Sequence, residues 1–205
     1  MGLPLTPHPS HLTPLSYNPP MLIETQRLRL RPLAEPDLAT FMVYRNDPEV
    51  AHWQGFDVPY PLESAQALFA ECDAARPPSP GEWRQIAIAR RSDDALLGDC
   101  AVCLSADGRQ AELGITLAPQ HQGQGYAAET FAALFDWLFG SCGLHRVHAS
   151  CDPANLASAR LLRRVGMRQE GHLRQSLWFK GGWADDLVFG LLAEEWKAAR
   201  RSPPG

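Results

Sequence analysis

The chain alternates between stretches of period-two hydrophobicity, which suit strands, and stretches of period 3.6, which suit helices. Leu28 and Leu30 alternate with Arg27, Arg29 and Arg31, predicting a half-buried strand that Pro32 closes. A helix is predicted from about Glu35, with Pro36 suited to its first turn and Asn46-Asp47-Pro48 ending it. An aromatic-rich loop, 51–61, carries Trp53, Phe56 and Tyr60 and leads to a second helix from about Leu62 to Arg76. Pro77-Pro78-Ser79-Pro80-Gly81 cannot continue that helix. Strands follow near 83–90, 95–104 and 111–117, the last two joined through Ala106-Asp107-Gly108. A glycine-containing loop, 119–125, then opens a helix over 126–139, where Phe131, Leu134, Phe135 and Leu138 are spaced i, i+3, i+4, i+7. A strand at 146–151, a helix from Asn155 to Val165 stopped by Gly166, and strands at 168–179 and 183–192 complete the pattern.

The order β-α-α-β-β-β-α-β-α-β-β mixes hairpins with helical crossovers. The economical fold is one α/β (α+β) domain: a mixed, mostly antiparallel central sheet with helices on both faces. With 205 residues, 45% hydrophobic and 20% charged, the chain suits one domain with a sizeable core. Six of the first twenty residues are proline, without periodicity, so 1–20 reads as a disordered tail, 21–198 as the domain and 199–205 as a loose end. The net charge of −4 and the lack of a basic run argue against nucleic acid, and no apolar stretch reaches the ~20 residues a membrane span needs. No secretory signal stands at the N-terminus. Five irregularly spaced cysteines do not form a disulfide framework, which points to a reducing cytoplasm. Cys100 and Cys103 lie three apart on one predicted strand, on opposite faces, which argues against a shared metal.

The most informative segment runs from Ala111 to Tyr126, where a strand enters Gln120-His121-Gln122-Gly123-Gln124-Gly125 and a helix follows. Such a loop aims free backbone N–H groups and a positive helix end at an anion. No lysine completes a Walker loop, and Ala128 stands where a dinucleotide fingerprint needs its third glycine. The spacing Gln120-x-x-Gly123-x-Gly125 resembles motif A of the GNAT acetyltransferase superfamily. Asn155-Leu156-Ala157-Ser158, Gly166-Met167, Glu170-Gly171, Gly182-Trp183-x-Asp185 and Glu195-Trp196 follow in order. With Arg27-Leu28-x-Leu30-Arg31-Pro32 and Asn46-Asp47-Pro48-Glu49-Val50 they extend the resemblance, to the RimJ/RimL-like branch, over about residues 22–196.

The resemblance implies acetyl-CoA as co-substrate, no metal, and direct attack by a primary amine in a ternary complex. The acceptor would be a small molecule or a protein N-terminus, and a homodimer is compatible with the family. It implies that Gln122, Gly123, Gln124, Gly125, Tyr126 and Ala127 wrap the CoA pyrophosphate. Thr116 and Leu117 would polarise the thioester carbonyl through their backbone, and Asn155 and Ser158 would lie near the pantetheine and sulfur. On strand 111–117, Ala111, Leu113, Ile115 and Leu117 face the core while Glu112, Gly114 and Thr116 face the other way, toward a cleft. Glu112 is assigned as general base and Ser158 as a second catalytic group; the residues alone equally allow Glu112 an ion pair on a solvated face and Asn155 a plain N-cap. Trp53 and Phe56 are candidates for the acceptor pocket. Arg160, Arg163, Arg164 and Arg168 are candidates for CoA phosphates or a solvated helix face. Leu162 and Leu177 depart from the family at positions where acids deliver the thiolate's proton, which keeps a catalytically degenerate acyl-CoA-binding module as the alternative.

Overall fold

The computed structural model describes residues 22–72 and 80–201. Residues 1–21, 73–79 and 202–205 lie outside that range. One eight-stranded sheet runs through the molecule: β1 (Ile23–Glu24), β2 (Leu28–Arg31), β3 (Trp83–Arg90), β4 (Leu96–Leu104), β5 (Gln110–Leu117), β6 (Arg146–Cys151), β7 (Arg168–Phe179) and β8 (Gly182–Leu192). The spatial order is β1-β2-β3-β4-β5-β6-β8-β7. Every pairing is antiparallel except β5 with β6. The helices are α1 (Leu38–Arg45), α2 (Pro48–His52), α3 (Leu62–Glu71), α4 (Tyr126–Phe135), α5 (Leu156–Arg164) and α6 (Ala193–Arg201).

Two cores lie on opposite faces. Ile86, Ile88, Val102 and Leu113 join Phe131, Leu134, Phe135 and Leu138 of the α4 segment and Leu162 of α5. Ala87 and Leu96 point the other way, toward Phe41 and Tyr44 of α1 and Ala65 of α3. The period of two on β3 therefore places Ile86 and Ala87 in different cores. Cys100 is fully buried and Cys103 half-buried, as residues three apart on one strand should be.

Several boundaries differ from the sequence expectation. Asn46-Asp47-Pro48 ends α1 but also starts a helix: the Asp47 carboxylate accepts from the Glu49 and Val50 N–H groups, and Pro48 takes the first turn. An aspartate N-cap followed by proline is a start signal, so the expected loop begins only after His52. The second helix ends at Glu71 with Cys72 as its C-cap, and the expected continuation to Arg76 falls outside the described residues. After Phe135 the α4 backbone widens into a π-type segment, Asp136–Ser141, which carries the expected helix past 139. The segment read as a loose end starts as α6, which runs to Arg201. Its anchor is Asp136, which accepts from Trp196 Nε1 at 2.9 Å and Arg200 Nη2 at 2.6 Å.

Helix α1 is fixed to the sheet by a buried polar knot. Asp99 on β4 accepts from Tyr44 Oη at 2.6 Å and Arg45 Nη2 at 2.5 Å. Burial pushes the Asp99 carboxyl upward, while Arg45 and the Tyr44 hydroxyl hold it back. The Arg45 guanidinium also stacks on Phe41 and Phe56, 4.6 and 4.5 Å from their centroids. That knot sets where α2 and the following loop begin.

Gly98 fixes the β4–β5 pairing where it matters most. It pairs with Leu117, and a Cβ added there would fall 2.2 Å from the Thr116 carbonyl oxygen and 2.8 Å from the Leu117 Cα. Both obstacles are backbone, so neither can rotate away. Gly98→Ala is expected to destabilise the fold by about 1–3 kcal/mol, the usual cost of overpacking that forces backbone shifts. Urea denaturation of the two proteins checks it.

Candidate active site

The site originates in an interrupted strand pairing. β5 and β6 are in register only at Gln110↔Arg146, Ala111↔Val147 and Glu112↔His148. Beyond that row β5 continues beside β4 to Leu117 and β6 continues beside β8 to Cys151. The two strands part, and a cavity of about 790 Å³ opens between them. Leu113, Gly114, Ile115, Thr116 and Leu117 all line it. The expected division of this strand into core face and cleft face is therefore incomplete: Thr116 is buried, while Ile115 and Leu117 are only partly so. The strand's open edge, rather than one of its faces, forms the cleft.

One end of the cavity lies at the glycine loop and α4–α5, through Gln122, Gly123, Gly125, Tyr126, Ala127, Phe131 and Leu161. The other lies at α2 and the loop after it, through Glu49, Val50, Trp53 and Gln54. The α4 and α5 helices pack on one face of the sheet and α1 and α3 on the other, so the cavity passes through the sheet.

Gly123 (φ 71°) and Gly125 (φ 82°) occupy left-handed backbone that other residues rarely adopt. Gly125 is the N-cap of α4 and supplies no capping side chain. The first-turn N–H groups of α4 thus lack a cap and stand at the cavity edge, an arrangement suited to an anion. Gln122 Nε2 donates to the Leu117 carbonyl at 3.1 Å, tying the loop to β5. Gln124 does not line the cavity; its amide donates to the Gln120 carbonyl, and its own carbonyl accepts from Arg27 Nη1 at 3.0 Å. Arg27 also pairs with Glu129 at 2.7 Å and lies 4.6 Å from the Tyr126 ring centroid. Glu129 accepts from Thr25 Oγ1 and the Arg27 N–H as well, so the start of β2 clamps the loop and first turn of α4.

Asn155 caps α5, its side-chain oxygen accepting from the Ser158 N–H at 3.0 Å, and both residues line the cavity. Sequence reasoning missed Ser150, Cys151 and Asp152 at the end of β6, which line it too. No local signal marked them, because where β6 leaves β5 depends on how the strands pair. Burial pushes the Cys151 thiol up, partly offset by the Ser158 hydroxyl beside it. Arg160 and Arg164 of α5 line the cavity as well, whereas Arg163 turns to Gln169 and the Phe189 ring.

Two other candidates stand off the cavity. Phe56 packs over Arg45 and against Tyr60, so it supports the α1–α2 region instead of lining the opening. Glu112 belongs to the last paired row of β5 and β6, one step short of the gap. It shares a sheet face with His148 and, through the β8 register, with Asp186. Burial lowers the His148 pKa, with Glu112 acting the other way. Burial raises Asp186, with Ser150 opposing and the Glu112 and Asp152 charges adding to the rise.

The acetyltransferase (GNAT) domain family model matches residues 27–168. The uncharacterized N-acetyltransferase YoaA of Bacillus subtilis (strain 168) is 31% identical over 174 residues, covering 83% of this chain and 96% of that protein. The acetyltransferase (GNAT family) structure from Bacillus anthracis superposes with a TM-score of 0.76 at 23% identity, covering 85% of this chain and 99% of the other. The spermidine N-acetyltransferase of Vibrio cholerae, solved in complex with CoA and spermine, gives 0.72 at 21% identity, covering 84% and 99%.

The clamp on the glycine loop has a pH signature. Burial pushes Glu129 up, but the Thr25 hydroxyl and the Arg27 side chain and N–H outweigh it and hold its pKa below the ordinary 4.5. A lowered folded value means the ionised group stabilises the fold above about pH 4.5, and that stabilisation is lost as pH falls through the folded value. Glu129→Gln is expected to cost about 1–2 kcal/mol at pH 7, a modest figure because Arg27 is partly exposed. Thermal melts of both proteins from pH 7 to pH 3 should show the gap narrowing below about pH 4.5.

Proposed function

The chain belongs to the GNAT acetyltransferase family, and from that membership we propose that it moves the acetyl group of acetyl-CoA to a primary amine by direct attack within the through-sheet cavity. The observation that carries this reading is the cavity's two ends, one built for an anion and one free of it. A donor enters from the glycine-loop side and an acceptor from the α2 side, so their reacting atoms meet where β5 and β6 part.

The donor's chemistry fits the first end. The uncapped N–H groups of α4 and the left-handed glycines suit a pyrophosphate, with Tyr126 and Ala127 beside it. Arg160 and Arg164 on the same wall suit further phosphate charge. The pantetheine arm carries amides, and the edges of β5 and β6 past Glu112 carry backbone groups that have no partner strand. Placed there, the thioester carbonyl comes under the Thr116–Leu117 backbone, whose N–H groups stabilise negative charge on its oxygen during attack. Asn155 and Ser158, which line the cavity, would flank the sulfur.

For the amine to attack, it must first lose a proton. We assign this to Glu112, acting through water because its row stops short of the cavity. The amine nitrogen then bonds to the carbonyl carbon, the tetrahedral intermediate gives up its second N–H proton as the C–S bond breaks, and that proton passes to the CoA thiolate that leaves. A thiol with an ordinary pKa of about 8.5 is a competent leaving group without a dedicated acid, which accommodates Leu162 and Leu177. Ser158, one of the hydroxyls lining the cavity, is assigned to pass that proton to the sulfur. The acceptor would meet Trp53, Glu49 and Gln54, which line that end.

Two expected outcomes test the proposal. Wild-type protein should bind CoA in calorimetry, and Gly125→Val should lower that affinity at least ~10-fold while the core stays folded, because a branched side chain cannot hold φ 82° at the N-cap. Unchanged affinity in folded Gly125→Val would refute the loop assignment. Glu112→Gln should leave CoA binding intact and lower kcat about 100-fold or more, the scale of general-base catalysis. Thiol release over a panel of amines and N-terminal peptides measures this. A protein that binds CoA but turns over no acceptor would be the non-catalytic binding module instead.

A further inference from the structure

The β7–β8 hairpin ends in Phe179-Lys180-Gly181-Gly182, with Phe179 paired to Gly182. Its two central residues have φ 46° and 85°, both in the left-handed region. A two-residue turn of this hand favours Asn, Asp or Gly at its first central position. Lysine there is strained, and strain of this kind persists where the surroundings hold the residue in place.

What holds it is the α2 segment and the loop after it. Lys180 Nζ donates to the Ala51 carbonyl in α2 at 2.8 Å and to the Phe56 carbonyl in the next loop at 2.9 Å, and it lies 4.0 Å from Asp57 Oδ1. Ala51 and Phe56 bracket Trp53 and Gln54, the residues that line the acceptor end of the cavity. Only two lysines, Lys180 and Lys197, occur among the nineteen Lys and Arg residues of the chain. An ammonium sends three donors from one atom, so the single Nζ can meet both carbonyls at once. Below the bridge, Leu173 and Leu177 are each about half exposed, and the strand register puts them on the same face as Asp186 and Glu112.

We propose that Lys180 is a strap that closes the hairpin onto α2, turning the acceptor cleft into a roofed portal. The strap fixes the Trp53–Gln54 wall and limits access of water to the thioester. It is a positioning residue for the acceptor side and makes no contact with the donor. The water-exclusion part rests on the acetyl-transfer reading above; the mechanical part does not.

The test uses the full chain with two substitutions. Lys180→Gly removes the donors but relieves the left-handed turn, so the hairpin stays folded. Lys180→Met keeps the aliphatic stem and removes only the donors. In hydrogen exchange on the free protein, both should raise exchange in segments 51–57 and 173–184 and leave α4 and α5 unchanged. With acetyl-CoA and no amine, both should raise thiol release by hydrolysis about fivefold, as expected when a lid no longer excludes water, while calorimetric CoA affinity stays within about twofold. Wild-type exchange at 51–57 in either variant would overturn the strap. Raised exchange with unchanged hydrolysis would overturn its role in excluding water. A wild-type protein that binds no CoA would defeat the transfer reading, and the exchange data would still decide the strap.

Discussion

The short parallel contact between β5 and β6 is the constraint on which the rest of the molecule depends. Three paired rows hold the two halves of the sheet together, and then each strand follows its other, antiparallel neighbour. A strand edge without a partner is costly when buried, because its N–H and C=O groups must still be satisfied. Here some are met by side chains, Gln122 on the Leu117 carbonyl and Gln54, at 3.4 Å, on the Ile115 carbonyl. The others face the cavity. A ligand with amides along its length completes such an edge as a missing strand would.

The two faces of the sheet then divide the labour. On one, α4 and α5 bring a glycine N-terminus and an asparagine-capped helix to the gap, held by a continuous apolar core. On the other, α1 is anchored by the Tyr44–Arg45–Asp99 knot, which places α2 and its loop over the opposite mouth. A buried charge pair contributes little net stability because desolvation offsets its attraction. Its value here is geometric: a directional anchor fixes the rotation of α1, which an apolar contact would leave looser. Lys180 of the β7–β8 hairpin ties to the Ala51 and Phe56 carbonyls in the same α2 region.

The clamp of Thr25, Arg27 and Glu129 belongs to the same design. A glycine loop gains close approach to a ligand at the expense of conformational freedom. Tying its helix to the start of β2 restricts that freedom before a ligand arrives, through residues about a hundred positions away in sequence.

The local pattern of the sequence determined most of the secondary structure. Period-two and period-3.6 hydrophobicity follow from which face of an element is buried, so β3 to β8, the helices α4 and α5 and the start of α3 were legible with boundaries near their true ones. The glycine loop and the capping Asn155 were legible for the same reason, because φ > 0 and an N-cap are demands on single residues. Tertiary structure alone decided where β5 and β6 part, since either strand could have paired further. That point makes Ser150, Cys151 and Asp152 part of the cavity, leaves Glu112 one row short of it, and moves Gln124 and Phe56 off it. It also decided the partners of Arg27, Glu129 and Lys180. Contacts between residues roughly a hundred or more positions apart depend on how whole elements dock, and no local periodicity encodes them.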